Sequence, residues 1–501
     1  MPDTKLFSAF PRTFWIVNGM ELLERAAYYG LNSVLAGYLT LAVAKGGLGF
    51  SVQAVGFLQG IVFAVTYVLP ILGGALADRY GYRRMLMLAA ALLSTGYFAA
   101  GHASTYALVF LGLLVMATGA GLFKPIVAGT IARTTNEQTS SVGFGIYYWM
   151  INLGAFLAPL LVTVLKGFSW RMVFIASSAY CAAMLLPAVL VYEDPPRPAS
   201  QKSLRDVLGG AVEVLRDARF MLMIVIYSGF WILYFQNFGT VLYYLRDVVD
   251  REPVSIAVTQ LLAALGLHVS FRFDIEHVTA LNAGAIICLQ VLVSRVVQKR
   301  AALPTMVTGM LIGALGYLLL STSRSPWVFC AGLIVFAIGE MTAHPKYYSL
   351  VGLIAPEDRK AVYMGYAALY GVFGSLLGTN IGAVLWARLV SPVLGTAQVQ
   401  QRASWFWLIF MTLDIAAAGA MIFFHRKLGQ DTAKTRQQAH TAMTVVYGLL
   451  GLLGALFGYS AFSSSPLQYK TLTQAAIFLA LGIGGLASSR RPREPAATAQ
   501  A

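Results

Sequence analysis

Charge is scarce in this chain of 501 residues. Asp, Glu, Lys and Arg together make up 11% of it, against about 25% in an ordinary soluble domain. With 58% apolar residues and a mean hydropathy of +0.69, too little polar surface is available for several soluble domains with polar linkers. Cysteine is almost absent. Cys181, Cys288 and Cys330 all fall in apolar blocks and read as small core residues rather than disulfides or metal ligands. No nucleophile–base pair, metal-ligand cluster or phosphate-binding loop occurs in or near the apolar blocks, which argues against a membrane-embedded enzyme and against a cofactor. A cleavable signal is not expected either. Residues 1–12 are short and polar, and the first apolar block is too long for a signal h-region.

What the chain does have is apolar blocks of about 20 residues, each long enough to cross a bilayer. Fourteen are expected, near 13–43, 50–77, 84–101, 104–131, 142–165, 171–192, 219–245, 276–297, 303–322, 327–354, 361–388, 404–425, 441–462 and 471–488. Basic residues set the orientation. With the N-terminus inside, 23 of the 36 lysines and arginines fall in cytoplasmic segments and 10 on the opposite side, so both termini are expected to be cytoplasmic. Arg25, Lys124 and Lys346 are left at membrane depth. The net charge of +15 follows from this bias. Contact with lipid headgroups accounts for it, with no need for nucleic acid.

Two connections are long. The segment 193–219 opens Glu-Asp-Pro-Pro-Arg-Pro and then places Leu204, Val207, Leu208, Ala211, Val212 and Leu215 at helical spacing, the pattern of an amphipathic linker helix. The segment 247–274 contains an apolar stretch, 254–269, too short to span and expected as an interfacial or re-entrant helix. The expected organisation is a six-helix bundle over 1–192, a cytoplasmic linker helix over 193–218, a second six-helix bundle over 219–425, a linker over 426–440, two additional C-terminal membrane helices over 441–488, and a disordered tail over 489–501.

Arg25 stands out because a charge near the bilayer centre costs about 2.5–3.5 kcal/mol even on the lenient insertion scale and therefore faces a polar cavity with partners. Its partners are local: Glu21 is one helical turn away and Glu24 is adjacent,. Lys124 is the second buried cation of the first half, and Glu340 is the lone acid at depth in the tenth span. Burial raises a carboxyl pKa and a nearby cation lowers it, so a carboxylate moving between such environments can carry a proton. Asp414, in the twelfth span, has no motif around it and reads as structural.

The strongest motif is Gly74-Ala-Leu-Ala-Asp78-Arg79-Tyr-Gly81-Tyr-Arg83-Arg84, between the second and third spans. It resembles the cytoplasmic loop signature of the major facilitator superfamily, in which glycines allow close helix approach and the acid and bases form a conformational latch. Further segments resemble one branch, the proton-dependent oligopeptide transporters (POT family). These are Asn18-Gly-Met-Glu21-Leu-Leu-Glu24-Arg25-Ala-Ala-Tyr28-Tyr29-Gly30, Gly119-Ala-Gly121-Leu-Phe-Lys124-Pro125, Tyr147-Tyr148-Trp-Met-Ile151-Asn152-Leu-Gly154, and Gly339-Glu340 followed by Pro345 and Ala355-Pro356. They fall in order across some 350 residues of the chain.

The resemblance implies an all-α membrane protein of the inner cell membrane, with two six-helix bundles rocking about a central site. It implies a symporter driven by protons and carrying di- or tripeptides. Arg25 and Lys124 would hold the peptide carboxylate and Glu340 its amino end, while Glu21, Glu24, Arg25 and Glu340 would couple protons. Cations on one half and an acid on the other suit a zwitterion with separated ends. Tyr28, Tyr29, Tyr67, Asn152, Trp231 and Asn282 are the candidates for the uncharged lining.

The chain also departs from the family pattern. Asn32 stands where relatives usually carry an arginine. Trp231 is followed by Ile232, Leu233, Tyr234, Phe235 and Gln236, where they usually carry an acid. These two charges can pair as an outer gate, so the loss of both leaves neither stranded but puts proton coupling in question. His344, one turn from Glu340, could titrate near neutral pH and is a candidate to replace part of that function. A relative with changed cargo and a non-transporting sensor are the alternatives.

Overall fold

The computed structural model describes residues 10–136, 138–195, 204–355, 360–462 and 469–489. Pro356 of the tenth-span motif and the tail from 490 lie outside the described residues. All described secondary structure is helical, with no strand. Each of the fourteen apolar blocks is a helix: α1 Arg12–Asn32, α2 Val52–Tyr80, α3 Tyr82–His102, α4 Tyr106–Thr134, α5 Ser140–Phe168, α6 Trp170–Leu190, α7 Ala218–Phe238, α8 His277–Val297, α9 Ala302–Thr322, α10 Pro326–Ile354, α11 Val362–Val393, α12 Val399–Leu428, α13 Ala433–Phe462 and α14 Tyr469–Ser489.

Twelve of these, α2 to α13, are long and apolar enough to cross a membrane. The first and last blocks fall outside that set. Glu21, Glu24 and Arg25 sit together in the middle of α1 and depress its hydropathy. α14 has an apolar stretch described over Gln474–Ala487. The linker helix forms over Leu204–Arg216, and the short apolar stretch of 247–274 is a helix over Glu252–Ala264.

Successive helices run antiparallel through short connections. One end of the bundle gathers the starts of α1, α3 and α5 and is called proximal here. The other, distal end gathers the starts of α2, α4 and α8. Glycines bring two pairs of neighbours to backbone contact. A Cβ on Gly96 of α3 would lie 2.4 Å from Met116 N of α4, and one on Gly119 would lie 2.7 Å from Leu93 N. The same arrangement joins α9 and α10: a Cβ on Gly316 would lie 2.6 Å from Gly332 O, and one on Gly339 would lie 2.6 Å from Gly313 N. Only glycine permits such approach between membrane helices. Gly81, at φ +95°, makes the sharp reversal between α2 and α3, a backbone conformation that a side chain would strain.

The spans are not uniform rods. α1 breaks at Ser33 and resumes as Leu35–Thr40; α7 passes through a 3-10 turn at Phe235–Phe238 and continues as Thr240–Asp247. Pro70, Pro125, Pro159 and Pro345 stand in the interiors of α2, α4, α5 and α10. Each removes a backbone hydrogen bond, tolerated at membrane depth where neighbouring helices cover the freed carbonyl.

Two placements differ from expectation. Lys346 is not a cation at membrane depth: its Nζ donates to Arg300 O at 2.7 Å and Gln298 O at 3.3 Å. The long side chain reaches the carbonyls beyond the proximal end of α8, where cations are favoured. Cys288 is exposed rather than in the core, whereas Cys181 is buried; all three cysteines are free.

Candidate functional site

The site begins on α1, where 3.6-residue periodicity puts Glu21, Arg25, Tyr28 and Tyr29 along neighbouring faces. Arg25 Nε lies 3.3 Å from Glu21 Oε1, and its guanidinium pairs with Glu24. The guanidinium also stands 5.0 Å from the ring centroid of Tyr28 and 5.8 Å from that of Tyr29, within cation–π range. Gly154 of α5 makes room for this cluster: a Cβ there would lie 2.9 Å from Arg25 Cβ. Asn152, on the same helix, turns its amide back to Tyr148 O at 2.8 Å.

Lys124 on α4 forms no hydrogen bond or ion pair with a described residue. Its Nζ stands 5.2 Å from the Tyr67 ring centroid. Tyr67 is locked between elements: a Cβ on Gly371 of α11 would lie 2.4 Å from the Tyr67 ring. From there an aromatic wall crosses to α7 and α10. Tyr67 lies 6.3 Å from Trp231 and 6.2 Å from Tyr370. Trp231 in turn lies 4.4 Å from Tyr234, 4.4 Å from Tyr370 and 5.2 Å from His344. His344 Nδ1 is 3.4 Å from Tyr227 Oη. Its ring is thus boxed by aromatics, one turn along α10 from Glu340.

Glu340 faces Asn282 of α8. The structure therefore brings Tyr67, Lys124, Trp231 and His344 to one wall, Glu21, Glu24, Arg25, Tyr28 and Tyr29 to a second, and Asn282 with Glu340 to a third. Tyr29 stands in electrostatic reach of both Arg25 and Glu340, so one ring faces both poles. Several buried polar atoms around these walls have no hydrogen-bond partner among the described residues: Glu21 Oε2, Glu24 Oε1, Glu340 Oε2, Asn282 Oδ1 and Trp231 Nε1. Buried polar atoms are ordinarily satisfied, and such clustering marks a place that handles polar groups. Asp414, whose two carboxylate oxygens are also unpartnered, is fully buried on α12 near Gly313 and Phe230.

The proximal loop motif has its own geometry. Asp78 pairs with Arg133 of α4 at 2.7 Å and accepts from Tyr82 Oη at 3.1 Å. The Arg133 guanidinium lies 4.4 Å from the Tyr82 ring centroid. Arg83 serves a different helix: its Nε donates to Ala188 O at 3.0 Å and its backbone N–H to Asp194 Oδ1 at 2.6 Å. Arg79 is exposed over Tyr80. Gly73 rather than Gly74 makes the closest approach to α4, where its Cβ would lie 2.9 Å from Pro125. Gly81 supplies the reversal described above.

Sequence reasoning missed the distal cluster. Lys166 Nζ at the end of α5 lies 2.7 Å from both Asp274 Oδ2 and Glu276 Oε2. Thr163 Oγ1 donates to Glu276 Oε1 at 2.8 Å. Arg251 also pairs with Asp274, and although burial opposes its charge, Lys166 and Arg251 hold the Asp274 carboxyl below its ordinary value. Arg246 Nη1 donates to Thr40 Oγ1 at 3.0 Å. Gln59 Nε2 donates to Phe238 O at 2.8 Å. Apart from Arg251–Asp274, these contacts join α1, α2 or α5 to the chain around α7 and α8. Asn32 and Gln236 do not meet: Asn32 donates to Tyr28 O in its own helix, and Gln236 ties α7 to Gly378 O of α11. The separation in sequence, 108 residues between Lys166 and Asp274, left no local signal for this cluster.

A family description, Major Facilitator Superfamily, matches residues 25–379. The chain belongs to this superfamily. Among curated proteins it is similar to dipeptide and tripeptide permease B of Shigella dysenteriae serotype 1, at 24% identity over 427 residues, covering 74% of this chain and 86% of that one. It is also similar to the uncharacterized transporter YclF of Bacillus subtilis, at 29% over 214 residues, covering 40% of this chain and 43% of that one. Dipeptide and tripeptide permease A of Klebsiella pneumoniae is 33% identical over 172 residues, covering 33% of each. For two of these three, the match spans less than half of the relative's length. A solved POT family transporter in complex with 5-aminolevulinic acid superposes with a TM-score of 0.68 at 19% identity, covering 83% of this chain and 96% of that one. A second, in complex with a thioalcohol-conjugated peptide, gives 0.69 at 18%, covering 83% and 96%. The POT resemblance of the sequence motifs is thus matched by the relatives, which are transporters and not enzymes.

Proposed function

We propose that this superfamily member is a symporter of the inner cell membrane that uses protons to import di- and tripeptides by alternating access. The observation that carries the reading is the separation of charge between the walls. Arg25 and Lys124 stand on two of them, Glu340 with Asn282 on the third, and Tyr29 is in reach of both Arg25 and Glu340. A peptide's carboxylate and amino group stand further apart than those of a free α-amino acid, which suits two separate poles. In this reading, carboxylate binding by Arg25 and Lys124 frees Glu21 or Glu24 to take up a proton, and release reverses the exchange. His344 and Glu340 form the second proton-handling pair.

The two bundles 1–192 and 219–425 would rock about this site, with both termini in the cytoplasm and α1 and α14 completing fourteen spans. The distal end is then the outer face, closed here by Lys166, Asp274 and Glu276, and the Asp78–Arg133 pair is a latch on the inner face. Lipid headgroups meet the basic inner loops.

A second reading keeps the mechanism and changes the cargo. It is favoured by Gln236, whose amide is committed to Gly378 O where relatives carry an acid, and by the 5-aminolevulinic acid complex of one structural neighbour. The test is uptake of a labelled dipeptide into liposomes carrying the purified protein, with and without an inward proton gradient, for the parent, Glu24→Gln, Lys124→Ala and Glu340→Ala. Accumulation that needs the gradient and is lost in all three variants supports the proposal. Equilibration without accumulation removes proton coupling, and no dipeptide uptake in the parent moves the cargo to another zwitterion or anion.

A further inference from the structure

The C-terminal hairpin α13–α14 carries no charge at membrane depth and no motif, yet its position is specific. Glycines weld the two helices together: a Cβ on Gly454 would lie 2.6 Å from Leu479 N, and one on Gly482 would lie 2.5 Å from Gly451 N. On its other side α14 lies along the seam where α2 meets α11. Ile477 and Leu481 pack on a small apolar cluster made by Ala64 of α2 and by Val372 and Leu376 of α11, and Tyr67 packs on the same cluster. Gln474 Nε2 donates to Asn380 Oδ1 of α11 at 2.6 Å. The seam is narrow there, since a Cβ on Gly60 of α2 would lie 3.1 Å from Asn380 Nδ2. α14 therefore touches both halves of the transporter at once, and what it covers is the back of the residue that faces Lys124.

We propose that α14 is a working wall of the transport site: Ile477 and Leu481 are positioning residues that seal the α2–α11 seam against lipid and hold the Tyr67 ring toward Lys124, with Gln474 fixing the register of the helix on α11. The physical reason is that Tyr67 is held from one side by the backbone of Gly371, and the Ala64–Val372–Leu376 cluster on which it rests is thin. Without α14 that cluster faces acyl chains, which are mobile and cannot fix a ring. Hydrophobic packing is what restrains a side chain to one rotamer. The inference rests on the reading of Tyr67 as pocket lining.

The test uses the full chain. Ile477→Ala with Leu481→Ala, and separately Gln474→Ala, are compared with the parent in dipeptide uptake, alone and combined with Tyr67→Phe. The expected result is a KM raised about three- to tenfold with kcat little changed, and an effect that shrinks in the Tyr67→Phe background, because two residues acting through one contact are not additive. Leu481→Met should restore the parent value. Unchanged kinetics, or losses that simply multiply with Tyr67→Phe, overturn the proposal.

A readout independent of cargo separates it from the peptide reading. A lipid-dissolved diazirine, which on photolysis inserts into C–H bonds, should leave the segments carrying Ala64, Val372 and Leu376 unlabelled in the parent and label them when Ile477 and Leu481 are both alanine. Equal labelling of the two proteins shows that α14 does not seal the seam, whatever the protein carries.

Discussion

Lys166 holds two carboxylates with one ammonium, and one of them has weaker support elsewhere. Replacing Lys166 by methionine keeps the length of the side chain and removes the charge. Asp274 retains Arg251 and the backbone N–H of Ile275. Glu276, fully buried, retains the Thr163 hydroxyl at 2.8 Å and the His277 ring at 4.0 Å. Breaking a fully buried ion pair costs about 3–5 kcal/mol. Because Lys166 is 16% exposed and one hydrogen bond survives, about 2–3 kcal/mol is the appropriate scale here. In the proposed alternating-access cycle this contact belongs to the distally closed state, so the cost would shift the closed–open balance by about 30- to 150-fold. Ile275 reports on it, because it packs against Gly37 across the same seam, where a Cβ would lie 2.4 Å away. In a cysteine-free background bearing Ile275→Cys, a water-soluble maleimide added to whole cells should label the Lys166→Met protein faster by a factor of that order. Equal labelling of the two proteins, with both folded by size-exclusion profile, would refute the idea that this cluster closes the distal end.

Asp274 also fixes a pH dependence. Its carboxyl is held below the ordinary 3.8, so its contribution to closure is present above that value and is lost only as pH falls through the lowered one. Labelling of Ile275→Cys, normalised at each pH to that of the same cysteine in the denatured protein so that thiolate formation cancels, should therefore not vary through Asp274 between about pH 5 and 8, and any change in uptake over that range must come from other groups. His344→Gln tests one of them: an unchanged pH profile of uptake removes the imidazole from proton handling. Arg133→Ala and Asp78→Asn should lower turnover equally, and the double variant no further, because both break the same 2.7 Å pair,. Gly371→Ala should raise the KM for dipeptide while the protein still folds, since the new methyl collides with the Tyr67 ring at a cost of about 1–3 kcal/mol; a parental KM would show that Tyr67 is not confined there.

Local pattern made much of this molecule legible. Fourteen helices follow from apolar blocks and basic ends, and the Glu21–Arg25 pair follows from the helical turn that separates the two residues. Lys124, Tyr67 and Trp231 could be chosen from motifs, but their grouping around a common wall could not. That wall needs Tyr234 and Tyr370, aromatics that look like ordinary span residues until α7 and α11 meet. The breaks in α1 at Ser33 and in α7 at Phe235–Phe238 contain no proline and leave no trace in a hydropathy pattern. The misplacement of Lys346 has a related cause: depth was judged from its Cα, whereas a lysine's charge sits several bonds away at the carbonyls of Gln298 and Arg300. Arg133 was counted only as a basic loop residue, because its acid lies 55 positions earlier. The Gln474–Asn380 bond joins two neutral residues 94 positions apart, so nothing in composition marks either.

The glycine contacts of α3 with α4 and of α9 with α10 recur at one interval. Gly96 and Gly316, Gly112 and Gly332, and Gly119 and Gly339 are each 220 residues apart, and each pair occupies the same place in its hairpin. The interval continues into the site: Lys124-Pro125 and His344-Pro345 are also 220 apart, as are Ala120 and Glu340. The common interval is that of an internal repeat, in which the backbone fit is the same in both hairpins while the polar residues beside the proline differ. The first hairpin carries a lysine and no acid; the second carries an acid and an imidazole. Lys124 and Glu340 are thus opposite charges supplied by two matching helical pairs, to which α1 adds Arg25 and its two glutamates.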